Sequence, residues 1–323
     1  MNILIIGGAG YIGGVTAHLA TETGHTVTVA DNLTTGRDYN IPTKATYIPV
    51  DIRNRQDVAK LFGAASYDAV MHFAAKIQVA ESMQKPYEYY ETNTTAALNT
   101  IDEAVKNGVK NYIFSSSAAV YGAPKQVPLQ EDDPKLPVNP YGMSKLLTER
   151  LLRSYEVTHG LHWAALRYFN VAGAYAGVGT DYPFVSHIVP MLLEKMTKNE
   201  PIQINGTDYE TPDGTAIRDY VHVADLGRAH LLAAQIMTAG EPINQAINLG
   251  SRNGYSVKEV ADTFNKVTGA DMSIIYGPRR AGDPPSLIAS HKRAKKILGW
   301  EPQHDLEKII KDHYDWFIAK DKK

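Results

Sequence analysis

Tyr141 and Lys145, four positions apart, are the residues of this chain whose types and spacing best suit acid–base chemistry. On an α-helix, side chains at positions i and i+4 lie on the same face, one turn apart. A fixed ammonium favours the ionised form of a neighbouring phenol and so lowers the tyrosine pKa toward neutrality. The pair therefore predicts a general base at Tyr141, although the same spacing also occurs in ordinary surface pairs.

The helix that must carry this pair is predicted to begin just before it. Pro140 suits the first helical turn, where its missing N–H needs no partner, and apolar residues then recur at helical spacing. A proline-rich, acidic loop over 123–138 separates this helix from an apolar strand over 111–115 that runs into three serines. Ser117, the third serine, is a candidate partner of Tyr141, whereas by itself it could simply end the strand.

A glycine-rich loop near the start of the chain has the spacing of a dinucleotide-binding turn. Gly7, Gly10 and Gly13 lie between an apolar strand over 2–6 and a helical stretch. Glycines allow a tight turn and let the backbone approach a pyrophosphate, which binds at the N-terminus of the helix. A second strand ends about 20 residues later at Asp31. An acidic residue there accepts hydrogen bonds from ribose hydroxyls and repels a 2′-phosphate, which predicts NAD rather than NADP.

The order of the predicted elements indicates the fold class. Strands alternate with helices from residue 2 to about residue 170, which predicts an α/β protein with a Rossmann-type, doubly wound parallel sheet. Residues 217–250 have the pattern of a return to that sheet. We therefore predict an NAD-binding Rossmann domain made of 1–170 plus roughly 217–250. A smaller mixed α/β substrate-binding lobe would comprise 171–216 plus 251–323.

The predicted strand ends collect the polar and glycine-rich segments of the first half. In doubly wound sheets, ligands bind at the carboxyl ends of the strands. The segments at such ends are 7–13, Asp31, Asp51, 73–75, 115–117 and 168–170. We expect them to surround one ligand site.

Composition argues against several function classes. The 323 residues are 44% apolar and 21% charged, as in soluble globular proteins, and a net charge of −2 favours neither a nucleic-acid nor an anionic-membrane partner. The absence of cysteine excludes disulfides, thiolate metal sites and cysteine nucleophiles. The 11 histidines are scattered, so no metal site is expected. Neither a basic leader nor a long apolar run is present, so the expected location is the cytoplasm.

The glycine loop, the serine run and the Tyr-x-x-x-Lys pair together resemble the extended short-chain dehydrogenase/reductase family. Within that family, the chain is most similar to enzymes that epimerise UDP-hexoses at C4, and the similarity covers essentially the whole chain. It is also carried by segments 30–33, 81–90, 166–174 and 208–226. The last segment is the most discriminating, because related sugar-nucleotide enzymes share its end but usually lack its Asp-Tyr-x-Thr-x-Asp-Gly-Thr beginning.

The resemblance implies reversible C4 epimerisation of UDP-galactose and UDP-glucose through a 4-keto intermediate, with tightly bound NAD and a homodimeric enzyme. Tyr141 would be the base, Ser117 would hydrogen-bond the sugar O4, and Lys145 would hold the nicotinamide ribose. The residues of the NAD site would be Gly7, Gly10, Tyr11, Ile12, Asp31, Asn32, Asp51, Ile52, Phe73, Ala74, Ala75, Lys145 and Tyr168. The residues that bind the UDP part or the sugar would be Ser117, Tyr141, Asn170, Arg218, Arg280 and Asp283.

Several positions depart from the family pattern. Ala80 stands where glycine is common, and Thr92 stands where an asparagine is usual. Asn205 occupies a position near the uracil at which an aromatic residue is common. These differences concern contacts with nicotinamide and uracil rather than the catalytic residues. Leu287, four residues after Asp283, is bulky and favours plain hexoses over N-acetylated ones.

Other functions are weighed against this one. A sugar-nucleotide 4,6-dehydratase needs an acid beside its catalytic serine, and Ala118 and Ala119 cannot transfer a proton. A 4-epimerase of another UDP-sugar (an N-acetylhexosamine, a pentose or a uronate) stays open. A non-catalytic NAD-binding sensor is also compatible with the fold, but it would have no use for a base tuned to neutral pH.

Two predicted groups of residues have a structural alternative. Arg218 could form an ion pair with Asp219 or Asp225 in place of a phosphate contact. The tyrosine-rich segment 87–90 suits helix packing or a subunit interface better than a ligand site. The second of these agrees with the homodimer that the resemblance implies.

Overall fold

Short apolar runs of the chain form the strands, and amphipathic segments between them form the helices. The computed structural model describes residues 1–124, 126–182, 187–251, 254–279 and 284–320. Its strands are, in chain order, β1 Asn2–Ile6, β2 Thr26–Asp31, β3 Thr46–Pro49, β4 Ala69–His72, β5 Asn111–Ser117, β6 His162–Tyr168, β7 Asn170–Ala172, β8 Ile202–Asn205, β9 Ile217–Arg218, β10 Tyr220–His222, β11 Gln245–Leu249, β12 Tyr255–Ser256, β13 Ile274–Gly277 and β14 Ser286–Leu287. Its helices are α1 Tyr11–Glu22, α2 Arg55–Gly63, α3 Val79–Gln84, α4 Pro86–Tyr90, α5 Ala96–Lys106, α6 Pro140–His159, α7 Ile188–Thr197, α8 Val223–Thr238, α9 Val257–Thr268, α10 Lys292–Leu298 and α11 Leu306–Lys320.

The central sheet contains seven parallel strands in the order β11-β6-β5-β4-β1-β2-β3. β1 has β2 on one side and β4 on the other, so Ile3 lies beside both Val27 and Ala69. The chain therefore builds the sheet outward from β1, first in one direction and then in the other. This arrangement confirms the predicted doubly wound fold, and its reversal point between β1 and β4 is where ligands of such sheets bind.

Strand β1 is buried on both of its faces. Ile3 and Ile5 share an apolar core with α1, α8 and α10, whereas Leu4 and Ile6 share a second core with α2, α5 and α6. All four side chains are fully buried. Burial on both faces explains why the strand appears in the sequence as a continuous apolar run.

The second half of the chain leaves the central sheet and returns to it. β11 pairs with β6, which makes it the edge strand of the seven. Around this return lie short pairs of strands, β10 with β7 and β13 with β8, and a small sheet in the order β12-β9-β14. A third apolar core, which includes Leu193, Phe264 and Ile309, joins α7, α9 and α11. These cores support two lobes, and the boundaries given above stay a prediction.

The helical region predicted over 87–107 contains a π-helical turn. This turn, Glu91–Thr95, lies between α4 and α5. The Asn93 side chain is buried and accepts a hydrogen bond from the Lys76 N–H at 2.8 Å. It also donates to the Lys76 carbonyl at 2.9 Å and to the Ser144 hydroxyl at 3.0 Å. π-Helical turns are frequent at functional sites, and this one ties the segment after β4 to helix α6.

Helix α6 confirms the helix predicted for Tyr141 and Lys145. The Asn139 side chain caps it by accepting a hydrogen bond from the Gly142 N–H at 2.8 Å. The helix has 20 residues, and Gly160, with a φ of +69°, ends it. Neither this helix nor any other within the described ranges is long and apolar enough to cross a membrane.

Candidate active site

A cavity of about 450 Å³ opens at the carboxyl ends of the central strands. The segments that follow β1, β2, β3 and β4 line it, and α6 contributes Lys145. The lining includes every residue that was predicted to bind the cofactor, with Tyr168 as the exception. These residues are Gly7, Gly10, Tyr11, Ile12, Asp31, Asn32, Asp51, Ile52, Phe73, Ala74, Ala75 and Lys145. Segments far apart in the sequence thus form one surface.

The loop between β1 and α1 has the form of a pyrophosphate-binding turn. Its glycines are crowded by neighbouring backbone, which leaves no room for a side chain. Gly7 has a φ of +80°, and a Cβ on it would lie 2.4 Å from the Ala74 nitrogen. A Cβ on Gly13 would lie 2.2 Å from the Gly7 carbonyl oxygen. Helix α1 begins at Tyr11, so its first N–H groups lie at this loop. This local geometry fits the diphosphate of NAD.

Two carboxylates that line the cavity are held in fixed orientations. Asp31 accepts hydrogen bonds from the Ala9 N–H at 3.0 Å and the Leu33 N–H at 2.8 Å. Burial raises the pKa of Asp31, and these backbone hydrogen bonds oppose the rise. The Arg53 guanidinium, 2.6 Å from Asp51, holds the pKa of that carboxyl below its usual value. Asp31 is therefore placed to accept hydrogen bonds from ribose hydroxyls, as NAD binding requires.

Lys145 is a buried cation at the inner end of the cavity. Its side chain is only 2% exposed, and Nζ donates to the Ser115 carbonyl at 2.8 Å. Nζ also lies 4.9 Å from the centre of the Phe114 ring. Burial lowers the pKa of Lys145 to about 7, and the charge of Glu149 opposes that fall. Lys145 can thus carry a charge near neutral pH, but that charge responds strongly to its surroundings.

Tyr141 and Ser117 meet where helix α6 begins, beside a 3₁₀ turn over Ala118–Tyr121. The Ser117 hydroxyl lies close enough to Tyr141 to favour ionisation of the phenol. A Cβ on Gly142 would lie 2.4 Å from the Ala119 carbonyl oxygen, so a glycine is required where the helix approaches the turn. This close approach brings the phenol to the serine.

The ionisation of Tyr141 differs from the sequence-based expectation. Burial raises the pKa of the Tyr141 hydroxyl, and the neighbouring Ser117 hydroxyl opposes the rise. The predicted lowering of this pKa by Lys145 is therefore wrong for the residues of this chain alone. The reason is that burial disfavours both the phenolate and the ammonium, and Lys145 directs its hydrogen bond to a backbone carbonyl. In such a desolvated site, any charged group that binds nearby shifts the pKa of the tyrosine strongly.

Two residues predicted to bind substrate lie in short strands outside the central sheet. Asn170 begins β7 and donates from Nδ2 to the Asp219 carbonyl at 3.0 Å. Arg218 is half-buried and donates to the Ile217 carbonyl at 2.7 Å. The Asp219 carboxylate, one of its predicted alternative partners, accepts a hydrogen bond from the Ser251 hydroxyl at 2.6 Å. Neither Asn170 nor Arg218 lines the cavity described above.

Leu287, the residue expected to limit the sugar pocket, lies beside Arg218 in the pairing of β14 with β9. It packs against a small apolar cluster that includes Val120 of the 3₁₀ turn. This contact places a bulky side chain against the turn that follows the serine run. The other two predicted substrate residues, Arg280 and Asp283, lie outside the described residues.

Tyr168 is buried in the apolar core rather than on the cavity wall. Its hydroxyl lies 3.2 Å from Nε2 of His230, and burial raises its pKa. Ring contacts continue from Tyr168 through His230 to Phe73, which does line the cavity. Tyr168 therefore supports the cavity from behind.

Sequence reasoning missed the part of the wall that the second lobe contributes. Thr180, Tyr182 and His187 line the same cavity as the glycine loop. His187 stands at the N-cap position of α7, which is the one local signal that could have marked it. The Asp181 carboxylate lies beside two of these residues. It accepts a hydrogen bond from the Tyr39 hydroxyl and forms ion pairs with Arg37 and Lys320. These residues come together only when the lobes pack.

Residues 3–250 match the sequence model of the NAD dependent epimerase/dehydratase family. The chain is 43% identical over 320 residues to the UDP-glucose 4-epimerase of Lacticaseibacillus casei, a match that covers 98% of this chain and 96% of the relative. It is 44% identical over 321 residues to the UDP-glucose 4-epimerase of Corynebacterium glutamicum, covering 99% and 96%. These relatives span the whole of both lobes.

Solved structures have the same architecture. The UDP-glucose 4-epimerase of Brucella ovis in complex with NAD superposes with a TM-score of 0.94 at 37% sequence identity. The match covers 98% of each chain. The fold and the length of the two proteins therefore agree from end to end.

Proposed function

The chain belongs to the NAD-dependent epimerase/dehydratase family, and from that premise we propose that it interconverts UDP-galactose and UDP-glucose by epimerisation at C4. It is an NAD-dependent enzyme. The single observation that carries the proposed chemistry is the meeting of Ser117 and Tyr141 beside the buried Lys145. This set of groups can handle a proton on a sugar hydroxyl, and Lys145 among them lines the dinucleotide cavity.

The residues proposed to hold NAD are those of the glycine loop, Asp31 and Lys145. When bound, NAD supplies a hydride acceptor that later returns the hydride, so turnover involves no net oxidation. The loop between β1 and α1 would hold the diphosphate, and Asp31 would accept hydrogen bonds from a ribose. Lys145 would hold the second ribose with its buried ammonium.

Tyr141 is the proposed base. As a phenolate, it would take the proton of the O4 hydroxyl when the C4 hydrogen leaves as hydride, and it would return that proton in the reverse step. Ser117 would hydrogen-bond the same oxygen and hold it in place. The intermediate is a 4-keto sugar, and return of the hydride to its opposite face inverts C4. Binding through the UDP part would let the sugar turn without leaving.

Leu287 supports plain hexoses as the preferred sugars. It is bulky and already packed against the apolar cluster that contains Val120, so it would limit the room for an N-acetyl group. A 4-epimerase of N-acetylhexosamines, pentoses or uronates is the second candidate function.

The experiment is to incubate the purified protein with UDP-galactose, without added cofactor, and to measure UDP-glucose. We expect conversion without lasting absorbance of reduced nicotinamide. Tyr141→Phe should abolish turnover while NAD remains bound. Tyr155→Phe on the same helix, which loses a hydroxyl bonded to Asp102, is the matched control and should retain activity.

Other results would redirect the proposal. No conversion by a protein that contains NAD would contradict the proposed substrates, and other UDP-sugars would be tested next. Full activity of Tyr141→Phe would contradict the proposed base.

The proposed assembly is a homodimer. Tyr87 on α4 and Val157 on α6 are 73% and 78% exposed, and such apolar side chains suit a subunit interface. Light scattering at micromolar concentration should give twice the 35.5 kDa mass of the chain, and a monomer mass would contradict the dimer. The expected cytoplasmic location stays a prediction.

A further inference from the structure

A buried ion pair lies one helical turn beyond Lys145. Arg167 Nε and Nη2 lie 2.9 Å and 2.6 Å from the two carboxylate oxygens of Glu149. The side chains are 3% and 6% exposed, so both charges are shielded from water. Ser116 donates its hydroxyl hydrogen bond to the same carboxylate at 2.5 Å. The carboxylate is therefore held by three hydrogen bonds from two buried partners.

Each member of this cluster is next to a residue of the candidate site. Ser116 directly precedes Ser117, and Arg167 lies opposite Ser116 in the pairing of β5 with β6. Glu149 follows Lys145 by four positions, so the two side chains lie on the same face of α6. None of the three is among the residues that line the cavity.

The guanidinium is anchored on its other side as well. Arg167 Nη1 donates to the Tyr121 hydroxyl at 2.8 Å and to the Glu131 carbonyl at 3.2 Å. Tyr121 in turn donates to the Asn248 side chain at 2.7 Å. The ion pair thus ties the 3₁₀ turn after Ser117 to the edge strand β11.

We infer that Ser116, Glu149 and Arg167 form a positioning unit, in which the Glu149 carboxylate keeps Lys145 charged and the other two hold that carboxylate in place. This inference rests on the role proposed above for Lys145. It adds a requirement to that role, because a lysine this deeply buried needs a nearby negative charge to stay protonated.

The groups around Lys145 agree with this assignment. Burial lowers its pKa, and Glu149 is the carboxylate whose charge opposes the fall. The Ser115 carbonyl on β5 is an uncharged partner of Lys145, and burial raises the pKa of Tyr141 one turn earlier on the same helix. His72 on β4 is neutral there, because burial and the Lys145 charge lower its pKa to about 3.

The groups around Glu149 are Arg167 on β6, Ser116 on β5 and, more distantly, Lys135 in the loop before α6. Removing Glu149 alone would leave Arg167 as an unpaired buried charge, which threatens the fold. The double variant Glu149→Gln/Arg167→Met removes both charges of the ion pair, so neither partner of that pair is left as an unpaired charge. It is therefore the variant of choice.

The test is the pH dependence of kcat for UDP-galactose in the NAD-loaded enzyme. In the double variant we expect the alkaline limb to move to lower pH by at least one unit, with less than a twofold change in KM. Glu149→Asp retains the charge and should restore the alkaline limb to its wild-type position. Glu103→Gln, which removes a buried carboxylate paired with Lys106 on α5, is the matched control and should leave the limb unchanged.

Ser116→Ala is a milder variant for the positioning part, and it should lower kcat several-fold without moving the alkaline limb. An unmoved limb in a folded double variant, or an equal shift in Glu103→Gln, would overturn the inference. The Lys145→Met enzyme separates the two levels of the argument. If it turns over normally, the proposed role of Lys145 fails and this inference fails with it. If it is inactive and the double variant keeps a wild-type pH profile, only the coupling through Glu149 fails.

Discussion

Lys145 and Arg167 are two buried basic residues on neighbouring elements, and they differ in the partners that the fold gives them. Their side chains are 2% and 3% exposed. Arg167 has a carboxylate partner with two short hydrogen bonds. Lys145 has a backbone carbonyl and the face of a ring, with its nearest carboxylate one helical turn away. The charge of Arg167 is neutralised by its carboxylate partner, whereas the protonation of Lys145 depends on its surroundings.

The difference separates a structural charge from a functional one. A buried pair such as Glu149 and Arg167 adds little to stability relative to an apolar pair, but removing one partner is strongly unfavourable. A buried lysine without a carboxylate in direct contact lowers the stability of the folded state, because burial disfavours the ammonium and brings its pKa down to about 7. Such a group is retained where its titration near neutral pH is used, as in catalysis.

The largest expected effect concerns activity at Lys145. Lys145→Met should lower kcat by about 10²–10⁴-fold, because the buried ammonium that is proposed to hold the cofactor ribose beside the base is lost. The measurement is conversion of UDP-galactose, with NAD content checked in parallel. Lys106→Met, on an exposed lysine of α5, serves as the control and should retain wild-type kcat. A kcat within tenfold of wild type in Lys145→Met would contradict a functional role for the Lys145 charge.

The next effect concerns stability at Arg167. Arg167→Met should lower the free energy of unfolding by about 3–5 kcal/mol, because Glu149 is left as an unpaired buried charge. Urea unfolding of single and double variants measures this. Glu149→Gln/Arg167→Met should recover most of the loss. If Arg167→Met were as stable as Glu149→Gln/Arg167→Met, the structural role of the Arg167 charge would be contradicted.

A third prediction extends the comparison to His72, a fully buried group without an acidic partner. Burial and the Lys145 charge lower its pKa to about 3, below the ordinary value of 6.5. The folded protein therefore resists protonation that the unfolded chain accepts, and stability falls as pH drops below 6.5. At pH 5 the loss from this residue is about 2 kcal/mol.

This third prediction is checked by urea unfolding at several pH values. His72→Gln should have a flatter dependence between pH 6.5 and 5 than the wild type. The exposed His159→Gln is the control and should follow the wild type. Parallel curves for wild type and His72→Gln would contradict the assignment.

The smallest effect concerns the stability contribution of Lys145. Its folded pKa of about 7 lies below its ordinary value of 10.5, so the unfolded chain holds the proton that the folded chain releases between these values. The contribution is therefore least favourable below pH 7 and improves as pH rises toward 10.5. Between pH 7 and 8, the stability advantage of Lys145→Met over wild type should shrink by about 1 kcal/mol. A constant difference across this range would argue against a buried, titrating lysine.

Much of the nucleotide half could be predicted because its signals are local. The apolar strand 2–6, the glycine loop and Asp31 follow one another along the chain, and the structure brings them to one cavity. The Tyr141–Lys145 spacing also predicted a helix correctly. The second lobe offered weaker signals, because its strands are short and the wall residues Thr180 and His187 lie in irregular segments.

The order of the elements, the doubly wound topology and the residue types available for chemistry can be predicted from the sequence alone. They follow from the spacing of apolar residues, glycines and acids along the chain. The ionisation of the site depends on the packed structure. The sign of the Tyr141 pKa shift and the partner of Lys145 depend on burial and on residues of β5, which no spacing in the sequence specifies. Desolvation is a property of the packed interior, so only the folded chain could assign it.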